Sequence, residues 1–159
     1  MAEITDYKRQ NKIALRMILS LDELKEQYAN SLKSISVLGA QNLDGMPHGT
    51  NVSNPTEQKC IKLLDIEKTK AWIIAIETME SRLSEIKRHF LKVRREAEKK
   101  APPTGGRPGW GAYVESHFAE WMYEEYGRIF CLPMRTALDW QREIVDMTVR
   151  LAIYYGALR

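Results

Sequence analysis

The chain has 159 residues, a net charge of +3 at pH 7, and 44% apolar against 28% charged residues. These proportions are typical of a soluble folded protein, and no apolar run reaches the ~20 residues that cross a bilayer. The sequence therefore excludes a membrane span. The polar N-terminus predicts no signal peptide, so we expect a cytoplasmic protein. The length suffices for one core, or for a small domain beside a long helical hairpin.

The residues that usually carry chemistry are few and scattered. Cys60 and Cys131 lie far apart without a metal-binding spacing, which predicts buried thiols in a reducing compartment. His48, His89 and His117 form no metal-ligand pattern. No carboxylate pair is singled out for acid–base chemistry. We therefore expect no metal, no cofactor and no catalytic site, and an enzyme is the function that the sequence favours least.

The first predicted element is one long helix over residues 5–38. Residues 41–53 are rich in Gly, Asn, Pro, Ser and Thr, which predicts a loop. The apolar residues of the helix recur at alternating three- and four-residue steps, as a seam for a partner helix requires. They are Ala14, Met17, Leu21, Leu24, Tyr28, Ile35 and Leu38.

A second long helix is predicted to begin with Asn54 as cap, Pro55 in the first helical position and Glu57 as the capping-box carboxylate. Its apolar stripe should hold for about eleven turns, to Val93. Its apolar stripe consists of Ile61, Leu64, Ala71, Trp72, Ala75, Met79, Leu83, Ile86, Phe90 and Val93. The two helices predict an antiparallel hairpin with a wide apolar face. Either other copies in a homo-oligomer or the C-terminal residues cover that face, and the sequence leaves both open.

Residues 101–109 are rich in Pro and Gly and predict a linker between a hairpin domain at 1–100 and a domain at 110–159. The second domain should contain helices over 112–126 and 135–155. Their core faces are Val114, Phe118, Trp121 and Met122, then Ala137, Trp140, Ile144, Met147, Thr148, Leu151 and Tyr155. No strand-like alternation occurs. We therefore predict an all-α fold, with an oligomerising or docking hairpin followed by a small helical domain.

Residues 126–140 carry small and apolar side chains where a helix-turn-helix needs them. Gly127 stands where the second helix would cross the first. Cys131 takes the turn position that usually holds Gly, where a positive φ would strain it. The other positions of the motif are apolar Tyr126, Phe130 and Leu132, inward-facing Ala137 and Trp140, and Pro133 in the first helical turn. The alternative is two ordinary core helices with a short connection.

If the motif is present, its second helix reads DNA. Arg135 and Thr136 begin that helix, the end that enters the major groove, with Asp139 and Arg142 behind them and Arg128 in the turn. These five residues are the candidate base or phosphate contacts. The alternative is a ladder of i, i+4 ion pairs. It would join Arg135 to Asp139, Arg142 to Asp146 and Asp146 to Arg150.

A basic run lies at residues 87–100, with seven Lys and Arg against two Glu. Residues 110–159 hold five Arg against seven carboxylates, a net charge of −2, although phosphate contacts supply most of the affinity for DNA. The basic run would supply the missing charge, and we name Lys92, Arg94 and Arg95 as candidate contacts. Its alternative role is a solvated helix end, where cations favour the negative pole of the helix dipole.

Two stretches are similar to a known family. One comprises residues 43–56, with Gly45-Met46-Pro47, and the Lys62-Leu63-Leu64-Asp65-Ile66-Glu67 segment; the other comprises residues 132–137 followed by Arg142-Glu143-Ile144. They resemble the phage late-transcription activators of the RinA and ArpU type, whose C-terminal domain resembles region 4 of a sigma factor. The resemblance implies binding of double-stranded DNA near a late promoter and recruitment of host RNA polymerase in the host cytoplasm. It also implies that Arg135 and Thr136 contact DNA.

Three functions are therefore open. The sequence favours a DNA-binding transcriptional regulator with the hairpin as its oligomerisation module. A phage DNA-packaging recognition subunit, similar to a small terminase, also joins a helix-turn-helix to an oligomerising hairpin but assembles rings. The third is a helical protein-interaction module without nucleic-acid binding, favoured by the net charge of −2 at residues 110–159.

Overall fold

The structure is a computed structural model that describes residues 2–40, 55–101 and 109–159. Helices make up most of this described part, and no strand occurs within it, so the predicted all-α class is confirmed. The helices are α1 (Ala2–Leu19), α2 (Leu21–Ala40), α3 (Pro55–Arg82), α4 (Glu85–Lys100), α5 (Trp110–Tyr126) and α6 (Met134–Tyr154).

The first predicted helix is present as α1 and α2, with an interruption at Ser20. The hydroxyl of Ser20 donates to the carbonyl of Arg16 at 2.8 Å, the back-bonding by which Ser bends helices. The backbone N–H of Ser20 donates to the same carbonyl at 3.1 Å, and that of Leu24 donates to the Ser20 carbonyl at 3.0 Å. The helical hydrogen bonds therefore run through the interruption.

The second predicted helix begins at Pro55 as expected, although Asn54 lies outside the described residues. Its predicted continuity to Val93 is wrong, because α3 ends at Arg82 and α4 begins at Glu85. Ser84 has an extended backbone, and its hydroxyl accepts from the N–H of Lys87 at 3.4 Å. Ser84 thus starts a new helix as its N-cap, a role that Ser favours over the helix interior.

The helices fold into one packed unit. α2 packs along α3, α6 packs on both α3 and α1, and α5 packs on α4. The C-terminal helices therefore fold back on the N-terminal ones and cover their apolar face, which is one of the two possibilities that the sequence leaves open. The predicted linker lies almost wholly outside the described residues. The largest fully buried side chains come from both sides of it: Ile18, Ile76, Met79, Phe90, Val114, Phe118, Ile144 and Thr148.

The apolar pattern does not always indicate burial. Ile61 and Leu64 were predicted to belong to the core, yet they are 53% and 65% exposed, because no helix of the described chain covers the start of α3 on that side. Ile86 and Tyr155 are also exposed. The two predicted buried thiols are wrong as well: Cys60 lies on the uncovered start of α3 and Cys131 lies in the α5–α6 connection, and both are exposed.

Candidate interaction site at the α5–α6 corner

The predicted helix-turn-helix segment forms a wide corner. Seven residues connect α5 to α6, compared with the three or four of a tight helix-turn-helix. Gly127 follows α5 with φ 63° and ψ 20°, and its N–H donates to the carbonyl of Tyr123 at 2.9 Å. A Cβ at Gly127 would have no atom within 4 Å. Its predicted role as a crossing point is therefore wrong, and Gly127 is instead a left-handed helix cap.

The rest of the segment agrees with the motif only in part. Leu132 and Ala137 are buried, as predicted. Pro133 precedes the first turn of α6, with an extended backbone and with its carbonyl accepting from the N–H of Ala137 at 3.0 Å. No described residue other than Gly has positive φ, so Cys131 carries no backbone strain. Moreover, α5 packs mainly on α4 whereas α6 packs mainly on α3 and α1. The corner thus lacks the close crossing that the motif predicts.

Exposed apolar side chains follow one another from the end of α5 to the second turn of α6. Ile129 is 86% exposed, and Tyr126 and Phe130, which the motif places beside the turn, are also on the surface. We define the apolar corner as Tyr123, Tyr126, Ile129, Phe130, Met134 and Leu138. The connection runs back along α5, because the Phe130 ring lies against Phe118 and the Sδ of Met134 is 3.1 Å from the position that a Cβ on Gly111 would take, about 18 Å along α5 from Tyr123. The six side chains therefore form an extended apolar strip, and exposed apolar surface of this kind marks a binding site.

The apolar corner rests on buried aromatic rings. The ring of Phe118 lies 6.0 Å from that of Phe130 and 5.9 Å from that of Trp140, both in edge-on geometry. The ring of Trp121 lies 5.6 Å from that of Tyr126, also edge-on. Such pairs hold defined orientations. Phe130 and Tyr126 therefore stand on packed rings, which fix this part of the corner.

The α5 side of the corner is acidic. This helix contains no Lys or Arg, and its four charged residues are exposed carboxylates: Glu115, Glu120, Glu124 and Glu125. Glu85 of α4 adds a fifth, which accepts from the hydroxyl of Tyr126 at 3.3 Å. A ligand on this side meets negative charge, which repels phosphate and attracts Lys or Arg.

The α6 side carries the predicted DNA contacts. Arg128, Arg135, Asp139 and Arg142 are exposed, and Thr136 is half-buried. The Arg142 guanidinium lies 3.6 Å from the carboxylate of Asp139. Arg135, Asp139 and Arg142 are spaced so that they lie on one exposed face of α6.

The predicted ladder of i, i+4 ion pairs along α6 does not form. Two of the three α6 carboxylates instead contact other helices: Glu143 accepts from the Nζ of Lys87 at 2.6 Å, and Asp146 accepts from the hydroxyl of Tyr7 at 2.6 Å. Because α6 packs against α1 and α3, these carboxylates lie closer to Lys87 and Tyr7 than to the arginines along α6.

A groove of about 870 Å³ follows α6 away from the corner. Among the residues that the structure describes, Arg82 and Arg150 of this groove form no ion pair. The groove is electrically balanced by its three Arg and three carboxylates. It is lined by Arg82, Asp139, Arg142, Glu143, Asp146, Met147, Arg150, Leu151, Tyr154 and Tyr155.

Arg94, predicted to contact DNA, is only 5% exposed. Its Nε donates to the Oε1 of Gln141 at 3.0 Å and its Nη1 to the Oε2 of Glu98 at 2.7 Å. Its guanidinium also lies over the ring of Trp110. The prediction is wrong for Arg94, because the guanidinium is enclosed by α4, α5 and α6 and has no access to a phosphate.

The Arg95 guanidinium also binds other groups of the protein. Its Nε donates to the carbonyl of Ile18 at 2.8 Å, and its Nη1 contacts the carboxylate of Glu80. The guanidinium thus joins α4 to α1 and α3, and the predicted DNA contact is wrong here too. Lys92 alone of the three candidates in the basic run is exposed. The run therefore supplies less surface charge than its sequence suggests.

His89 contacts the aromatic base from the α4 side. Its ring stacks on that of Trp121, with centroids 3.8 Å apart. Burial lowers the pKa of His89 below its ordinary value, nearby Lys92 lowers it further, and Glu96 partly offsets them. Within the described ranges, no group of three or more His, Cys, Asp or Glu residues has the geometry of a metal site.

Comparison with known proteins finds no relative. No family model, no curated protein and no solved structure matches this chain. The resemblance to late-transcription activators therefore stays a prediction from sequence. In the helices that the structure describes, no segment is long and apolar enough to cross a membrane.

The sequence missed Ile129 and Met134 as surface residues. The one available signal was that both are large apolar residues that the core positions of the motif leave unused. Their exposure follows from the length of the α5–α6 connection, which the spacing of apolar residues along the sequence does not predict.

Proposed function

We propose that the protein is a helical protein-interaction module that docks a partner on the apolar corner. The observation that carries this proposal is the 86% exposure of Ile129 in a connection whose neighbouring Tyr126 and Phe130 are also exposed and pack on Trp121 and Phe118. Covering one such side chain contributes about 1.5–3 kcal/mol, so a few of them suffice for specific binding.

The charges beside the corner indicate the chemistry of the partner. The four exposed carboxylates of α5 favour a segment whose apolar residues are flanked by Lys or Arg. An amphipathic helix with a basic edge meets this requirement, because its apolar face fits a groove or corner between two helices. The same carboxylates disfavour a polyanion on this side.

Selection from a peptide library displaying random 20-residue segments tests the proposal. The full-length protein should enrich peptides with apolar residues at helical spacing and a basic edge. Ile129→Asp should weaken their binding by about tenfold or more, because it places a charge where an apolar side chain is covered. Ile153→Asp is the matched control: it makes the same change at an exposed apolar residue at the other end of α6 and should bind as the parent does.

Two results would contradict this function: enriched peptides that bind Ile129→Asp as tightly as the parent protein, or no enrichment at all. Circular dichroism of each variant excludes unfolding as the cause. Because Ile129 is almost fully exposed, its replacement leaves the core intact.

A DNA-binding transcriptional regulator is the second candidate. Arg135, Arg142 and Arg150 are exposed at spacings of seven and eight residues, which puts them on one face of α6. Arg128 adds a cation in the connection. A recognition helix has such a face, with its N-terminal end nearest to the bases. In this case the apolar corner is where RNA polymerase would be contacted.

Selection of bound duplexes from a random DNA pool, at low and physiological salt, tests the second candidate. A consensus that persists at physiological salt and disappears in Arg135→Ala supports it, with Arg9→Ala, an exposed α1 arginine, as the control. Recovery without a consensus, and only at low salt, contradicts it.

A further inference from the structure

The start of α3 presents a short stripe with a distinctive order of side chains. Glu57, Ile61, Leu64 and Lys68 follow each other at steps of four, three and four residues, the spacing of a coiled-coil seam. All four are exposed. We call these four residues the α3 stripe; it is about 17 Å long and has an acid at one end and a base at the other.

The α3 stripe faces away from the partner helix of the hairpin. Ile66 lines a groove together with Tyr28 of α2, which shows the side of α3 that α2 covers. Ile61 and Leu64 lie about 140° and 160° around the helix from Ile66. Ala75 lies farther along α3 on the same side and is fully buried. This side of α3 is therefore exposed at the start of the helix and enters the core later.

We propose that the α3 stripe binds the same stripe of a second copy in antiparallel orientation about a two-fold axis. If the axis passes between Ile61 and Leu64, Ile61 of one copy lies opposite Leu64 of the other, and the reverse pair forms as well. Glu57 then lies opposite Lys68 at both ends. A two-fold interface requires such self-complementarity.

A second copy fits the stripe better than an unrelated partner does. Glu57 and Lys68 lie at equal distances from the centre of the apolar pair. When a second copy runs in the opposite direction, its Lys68 therefore faces Glu57 and its Glu57 faces Lys68. In the parallel orientation each charge would face its like. This dimer is independent of the apolar corner, because the stripe lies on α3 and the corner lies on the α5–α6 connection and the helix ends beside it.

Sedimentation equilibrium of the full-length protein provides the first test. The parent protein should be a dimer that dissociates on dilution, and Leu64→Glu should weaken self-association by about a hundredfold, because two carboxylates would be buried in the interface. Lys70→Glu is the control: it changes the charge at an exposed position on the opposite side of α3 and should leave the mass unchanged.

Charge exchange provides a second test that does not depend on apolar residues. Glu57→Lys makes both ends of the stripe basic and Lys68→Glu makes both acidic, so each variant alone should self-associate about tenfold more weakly than the parent protein. An equimolar mixture should restore association as a heterodimer, since every basic end then meets an acidic one.

A monomeric parent protein at all concentrations up to the millimolar range overturns the proposal. An assembly of any size that tolerates Leu64→Glu also overturns it, because that assembly uses another surface. Failure of the mixed variants to associate more tightly than either alone overturns the antiparallel pairing.

Discussion

The guanidinium carbon of Arg94 lies 4.4 Å from the centre of the Trp110 ring. The contact joins α4 to the first residue of α5, and the Arg94 side chain also reaches Gln141 of α6. A cation that the sequence suggested for DNA thus connects three helices of the fold. Its charge is retained in the interior by a carboxylate, an amide oxygen and an aromatic face.

Arg94→Ala should lower the free energy of unfolding by about 2–3 kcal/mol, because it removes the cation–π contact and leaves the half-buried acceptor of Gln141 without its donor. Urea unfolding followed by circular dichroism measures the loss. Lys92→Ala, at an exposed position two residues away, should change stability by less than about 0.5 kcal/mol. Equal effects of the two substitutions would refute a structural role for Arg94.

Ser84→Ala should destabilise the fold by about 1 kcal/mol, because the first turn of α4 loses the side-chain acceptor of its N-cap. Thermal or urea unfolding detects a change of this size. Ser81→Ala is the comparison: the Ser81 hydroxyl bonds only to the carbonyl of Thr78 within α3, and its loss should be close to neutral. A larger loss at Ser81 than at Ser84 would contradict the break between α3 and α4.

Gly127→Ala should destabilise the fold by about 1–2 kcal/mol, although a methyl group there touches nothing. The loss comes from the backbone alone, since Gly127 has φ 63°. Gly127→Asn should lose less, because Asn tolerates this region better than Ala does. If both variants are as stable as the parent protein, α5 does not end in a left-handed cap.

Protonation of His89 should destabilise the folded state. Its pKa is lowered from 6.5 by burial first and by Lys92 second, so the unfolded chain binds the proton more tightly. The contribution of His89 is therefore complete above pH 6.5 and is lost as the pH falls towards the folded-state pKa. We expect a smaller drop in unfolding free energy between about pH 7.5 and about pH 5.5 in His89→Gln than in the parent protein. An identical drop in both would contradict this.

Substitution of the charged neighbours should move the pKa of His89 in opposite directions. Lys92→Gln removes a charge that lowers it, and should therefore raise the pKa; Glu96→Gln removes a charge that raises it, and should lower the pKa. Nuclear magnetic resonance titration of the His89 ring protons reports both shifts. Shifts of the same sign would show that the cause is a change in packing rather than in charge.

Local patterns were sufficient to place most helices. The predicted limits of α5 and α6 differ from the observed ones by one or two residues, because apolar periodicity and helix-breaking residues both act over a few positions. Pro55 likewise marks the start of α3. The break at Ser84 had a local signal, Ser followed by Glu85, but the apolar stripe continues through it and hides it.

Burial could not be predicted in the same way. Arg94 is buried and Leu64 is exposed, although a charged residue on a basic run and a Leu on an apolar stripe predict the reverse. Both outcomes depend on where α5 and α6 pack, which is decided by contacts between distant parts of the chain. The exposure of Arg135 agrees with its predicted place on the outer face of α6, whereas the exposure of Ile129 follows from the length of the α5–α6 connection and could not be predicted from local spacing.

The contact of α6 with α1 has a consequence for the order in which the chain folds during synthesis. Tyr7 and Asp146 are hydrogen-bonded although 139 positions separate them. A ribosome therefore releases α1 long before α6 exists, and the apolar side chains of α1 lack this native neighbour until α6 has been synthesised. Slow codons or a transient chaperone contact would act most strongly in that interval.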